Sequence, residues 1–129
     1  MNLKKIIIKV GKEKAIACLL ENEAPKTCNL IWNSLPLEGP AIHAKIAGPE
    51  FWFMVPLFQD ELENPTKEQD AGNVCFWNTR QTIPIFYGKT KGIGLVTLWA
   101  KITENLEGIK REGRKIWIKE GIWVRIEKG

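Results

Sequence analysis

His43 is the single histidine among 129 residues, which excludes any acid–base scheme that needs two imidazoles. Ser34 is the single serine. It sits in Trp32-Asn33-Ser34-Leu35-Pro36, at the end of an expected helix, without the G-x-S-x-G turn that exposes a nucleophilic hydroxyl. Cys18, Cys28 and Cys75 lie far apart among apolar neighbours, where a thiolate is disfavoured. With no C-x-x-C and one imidazole, no zinc spacing exists, and the reading is of no metal and no cofactor. Gly88-Lys89-Thr90 spells the end of a phosphate-binding loop, but the glycine needed five residues earlier is Ile83. Pro84 follows it and has no N–H to donate, so that reading fails. Asp60, Glu61, Glu63, Glu68 and Asp70 could offer oxygens to a hard cation. They lack the calcium-loop pattern and read as a solvated acidic stretch.

The aromatic residues remain. Phe51, Trp52, Phe53, Phe76, Trp77, Phe86 and Tyr87 fall on three strand-like segments, and alternation sends about half to each face of a sheet. One set can fill a core. The other either lies under a helix or lines an apolar groove for a ligand or peptide.

The elements that must position these side chains are mostly strands. Residues 3–10 and 14–20 are β-rich runs around Gly11-Lys12-Glu13, an opening hairpin. Pro25 suits a first helical turn, and Cys28, Ile31, Trp32 and Leu35 recur at i, i+3, i+4 and i+7 before Pro36 stops the helix. Residues 41–46 alternate, with Ile42, Ala44 and Ile46 opposite Ala41, His43 and Lys45. Residues 51–55 form a strand apolar on both faces, with little of it expected to be wet, and residues 56–72 a long loop without periodicity. Strands are expected over 74–77, 83–87 and 95–102. A helix over 104–120 and a last strand over 122–127 close the chain, although Gly108 and Gly113 disfavour a helix there and a hairpin over 115–126 competes with it.

Consecutive strands apolar on both faces imply a single domain built as a closed β-barrel with two short helices. The length is that of one domain, and 44% hydrophobic with 26% charged residues is ordinary for a soluble protein. The charge of +4 is spread among glutamates along the whole chain, which disfavours nucleic acid as a partner. No signal peptide, no membrane span and three unpaired thiols together suggest a cytoplasmic protein. The Lys-, Glu- and Ile-rich composition is thermophile-like.

Several of these motifs resemble the cyclophilins, the peptidyl-prolyl isomerases. Glu23-Ala24-Pro25-Lys26-Thr27-Cys28-Asn29-Leu30 after a hairpin is similar to their first helix. Ile42-His43 resembles the pair before their catalytic arginine, Phe53-Met54 their F-M pair, Phe76-Trp77 their later F-F strand, and Tyr87-Gly88-Lys89 their F-G-K. The resemblance is closer still to small uncharacterised bacterial and archaeal proteins with a cyclophilin-like barrel. It runs through Gly72-Asn73-Val74-Cys75-Phe76-Trp77, Ile83-Pro84-Ile85-Phe86-Tyr87-Gly88 and the segment 99–121.

The departures bear on activity. Ala44 stands where the cyclophilin arginine would be, Pro56 stands for their glutamine, and the loop between Trp77 and Ile83 is short. A donor to a twisting prolyl bond accelerates the reaction only by favouring the twisted state. The resemblance therefore implies a retained groove formed from His43, Phe53, Met54, Phe76, Trp77 and Phe86, with Lys45 as a substitute cation. It would take an apolar peptide or small molecule, with prolyl isomerase activity weak or absent. The alternative is a working isomerase using Lys45 or another cation, and a third reading is homodimerisation through exposed tryptophans.

Overall fold

The computed structural model describes residues 3–129. Strands β1 (Lys5–Val10) and β2 (Glu13–Leu19) form the expected hairpin in antiparallel register, Ile8 opposite Ala15. Ile6, Ile8, Val10, Ala15, Ala17 and Leu19 all point inward, the period of two that a half-buried strand must show. The chain turns at Gly11, whose φ of +57° suits glycine, and the Lys12 N–H donates to Glu112 at 3.4 Å.

Helix α1 (Pro25–Trp32) begins at the proline, as the sequence suggests, and buries Cys28 and Ile31. Ala24 at its N-cap has no side-chain oxygen to offer the first helical N–H groups. Glu63 supplies one from the acidic stretch, accepting from Lys26 N–H at 3.1 Å and Thr27 N–H at 2.7 Å. Burial pushes the Cys28 thiol up to about 12, and burial likewise raises Cys75, so both are packing groups.

After α1 come β3 (Leu37–Pro40), β4 (Ile42–His43) and β5 (Glu50–Met54). The expected strand over 41–46 stops at His43. The chain then bends through Ala44–Pro49, leaving Lys45 and Ile46 exposed. The strand expected to be dry on both faces is dry on one. Phe51 and Phe53 are fully buried, whereas Trp52 is half-buried and Met54 is 58% exposed.

The loop expected over 56–72 contains β6 (Pro65–Gln69), which pairs with β9. Its exposed polar residues give no alternation of hydrophobicity, so only the partner strand reveals it. Next follow β7 (Asn73–Phe76), β8 (Thr82–Phe86) and the long β9 (Thr90–Glu104), whose register shifts opposite β2, β6 and β7 let one strand serve all three. Helix α2 (Leu106–Ile118) and β10 (Trp123–Lys128) end the chain close to the expected bounds. Asn105 caps α2 by accepting from Gly108 N–H at 3.2 Å.

The ladder runs β3-β10-β1-β2-β9-β7-β8-β5-β4 and is antiparallel throughout. Its two end strands, β3 and β4, are consecutive in the chain with only Ala41 between them. Residues 37–40 pair with β10 while residues 42–43 pair with β5, so one stretch of backbone bridges the ends. Ala41 N–H donates to Ile122 O at 2.8 Å, and Gly121 N–H donates to Ala41 O at 2.9 Å. The result is a nearly closed antiparallel barrel with two helices. Among the described residues no helix is long and apolar enough to cross a membrane.

Candidate functional site

On strand β5 the parity of side chains decides what each can do. Phe51 and Phe53 point into the barrel, while Glu50, Trp52 and Met54 share the opposite face. The neighbouring β4 adds Ile42 opposite Trp52, and β8 adds Thr82 opposite Met54. The bend after β4 brings Lys45, Ile46 and Ala47, the turn after β7 brings Trp77 and Arg80, and β9 brings Ile93. These groups enclose an outer-face cavity of about 480 Å³. Small-ligand sites are commonly about 300–1,000 Å³.

Of the residues expected to form the groove, the structure brings His43, Met54 and Trp77 to this cavity, with Lys45 beside them. Phe53, Phe76 and Phe86 do not reach it. Phe53 and Phe76 lie in the main barrel core, and Phe86 packs in a second cluster with Cys75, Val96 and Leu98.

His43 is only 1% exposed. Its Nδ1 lies 2.8 Å from Ala44 O, a carbonyl that can only accept, so Nδ1 carries the proton. Nε2 then accepts from the Tyr87 hydroxyl, and the ring packs at 4.2 Å from Trp117 of α2. Burial lowers the His43 pKa, so a neutral, fully partnered imidazole closes the cavity floor. Burial also raises Tyr87.

The cavity also carries polar and charged groups. Lys45 pairs with Glu120 at 3.3 Å, and Glu120 also accepts the His43 N–H at 2.9 Å. That backbone bond first, then Lys45, holds the Glu120 carboxyl below its usual range. Arg80 lies over the Trp77 ring, 4.1 Å from its centroid.

Glu50 is the unexpected member. It is 7% exposed, and among the described residues its carboxylate has neither a hydrogen bond nor an ion pair. Burial pushes its pKa up to about 7. No motif marked it, and its parity with Trp52 and Met54 shows only once the start of β5 is fixed at Glu50. The site therefore combines two half-buried indoles, aliphatic rim residues, a guanidinium stacked on Trp77 and a carboxyl group able to change charge near neutral pH.

Comparison with solved structures places this barrel beside three proteins. McbB, whose structure was solved in complex with tryptophan, matches with a TM-score of 0.83 at 18% identity over 95% of this chain. The chain spans 44% of McbB's own length. The hypothetical protein AF2241 from Archaeoglobus fulgidus matches with a TM-score of 0.74 at 22% identity, covering 98% of this chain and 95% of that one. A cyclophilin-type peptidyl-prolyl cis-trans isomerase from Cryptosporidium parvum gives 0.75 at 16% identity, covering 99% and 98%. At such identities the likeness establishes the cyclophilin-like fold alone. No curated protein matches the sequence. A family model described as "Protein of unknown function (DUF3830)" matches residues 6–126, almost the whole chain.

Proposed function

We propose that this chain, which belongs to the DUF3830 family, uses its outer-face cavity to bind a small, predominantly apolar molecule, an aromatic one above all. One observation carries the reading: Trp52 and Trp77 line a cavity of about 480 Å³ whose larger aliphatic lining residues are Ile42, Ile46, Met54 and Ile93. Ile46, Met54 and Ile93 are 82%, 58% and 52% exposed, apolar surface that a ligand would cover. The tryptophan bound in the McbB structure makes tryptophan and indole the natural first probes. Titration calorimetry with these two tests the reading. Saturable binding is expected, and Trp77→Ala should weaken it about tenfold, the 1.4 kcal/mol equivalent of losing one aromatic face. Absence of saturable binding by every aromatic probe would end it.

Prolyl isomerisation is the second reading, and it is favoured by the two cations at the cavity. Lys45 is already paired with Glu120, so Arg80 is the better candidate to stabilise a twisting peptide carbonyl. Neither cation occupies position 44, and the expected outcome of a proline-peptide assay is an uncatalysed rate. A rate above background that collapses in Arg80→Ala or Lys45→Ala would make the protein an enzyme.

A further inference from the structure

We infer that Glu50 is the anionic anchor of the cavity, and that the preferred ligand is a small aromatic or branched apolar molecule carrying a protonated amine. This rests on the reading that the cavity binds a small ligand, and it adds the chemical class. Buried carboxylates are almost always paired, because stripping water from a charge without replacing its partners is unfavourable. Glu50 is 7% exposed, has no side-chain partner among the described residues, and lies on the face that lines the cavity, where its oxygens still reach solvent. Such a group is satisfied by water in the cavity, by a proton of its own or by a cation brought from outside, and only the last adds a full opposite charge.

The charged and titratable groups around it leave the cation's role open. Lys45 and Glu120 neutralise each other at the rim. Arg80 is engaged on the Trp77 face. His43, from the adjacent strand β4, is neutral with both ring nitrogens committed. Cys75, from β7 behind it, has its thiol raised by burial and by Glu50 itself. Arg114 of α2 acts on Tyr87. Burial is the whole cause of the upward shift of Glu50, so no cation in the protein offsets it.

A ligand ammonium would complete the site. Trp52, two residues along on the same face of β5, would add its ring to the carboxylate in holding that cation. A ligand bearing only an acid group would meet the Glu50 carboxylate with like charge. Capture of an amine converts the Glu50 acid to carboxylate, and the displaced proton passes to solvent. At a pH near 7 that release is about half a proton per ligand.

Calorimetric titration with tryptamine, indole and indole-3-propionate, at about pH 6 and about pH 8, tests the assignment. Tryptamine should bind at least about tenfold tighter than indole-3-propionate, a charge-assisted hydrogen bond being worth that much. Its affinity should rise with pH, and titrations in buffers of different ionisation enthalpy should reveal the released proton. Glu50→Gln keeps the side-chain shape and should abolish both the preference for the amine and the proton release. A melting temperature at or above that of the unsubstituted protein verifies its fold. Equal or tighter binding of indole-3-propionate, or a preference that survives in Glu50→Gln, overturns the inference while the cavity reading stands. If no indole compound binds, the cavity reading fails and this inference fails with it.

Discussion

The Glu50 carboxyl contributes a stability term that falls as the pH rises through neutrality. The Glu50 pKa rises from 4.5 to about 7 on folding. The native state therefore binds the proton more tightly than the unfolded chain does. Stability from this group is complete below about pH 4.5 and declines as pH rises through 7. The interval corresponds to a loss of about 3 kcal/mol in total. Urea unfolding at about pH 5 and about pH 8 should show wild type losing about 2–3 kcal/mol relative to Glu50→Gln across that range. An equal response of both proteins would place the titration elsewhere. A group that weakens the fold at neutral pH is the kind that binding sites retain. The sequence gives little notice of Glu50, since Gly48-Pro49-Glu50 reads as a turn. His43 was conspicuous for being unique, and its two ring partners make it structural. Phe53, Phe76 and Phe86 were attractive as aromatic types, but inward parity or a covering cluster removes them from the cavity. Side-chain parity from a fixed strand start, which a lone sequence does not supply, separates these cases.

The two helices illustrate what local pattern can and cannot resolve. For α1, the proline start and the apolar spacing were sufficient to place it, but its cap comes from Glu63, 36 residues from Thr27, beyond the reach of any local rule. For α2, Gly113 argued against a helix by propensity, and packing explains its presence. A Cβ at Gly113 would lie 2.5 Å from Cε1 of Tyr87, the residue whose hydroxyl partners His43. Gly113→Ala should therefore destabilise by about 1–3 kcal/mol from overcrowding, against the gain of about 1 kcal/mol that propensity alone would give. A thermal melt decides the sign, and a raised melting temperature would show that the helix can shift away from Tyr87 without strain. Strand β6 was missed for the opposite reason. Its stability comes from pairing with β9, and its exposed residues Pro65, Lys67 and Glu68 carry no hydrophobic alternation to detect.

At the scale of the whole molecule, the barrel was legible because strand after strand alternates or runs apolar, and because the motif order resembles the cyclophilins. What pattern could not reveal is how the ring is joined. Residues 37–43 pair with β10 through one half and with β5 through the other, and Ala41 sits at the handover. The join and the cavity share hardware, since Ile42 and His43 belong to both. The circumference of the barrel and the width of the cavity mouth are thus governed by one short span of main chain, which acts like the buckle of a belt. Adding or deleting a residue at position 41 would let out or take in that belt by one notch, and the cavity would change its gauge along with it.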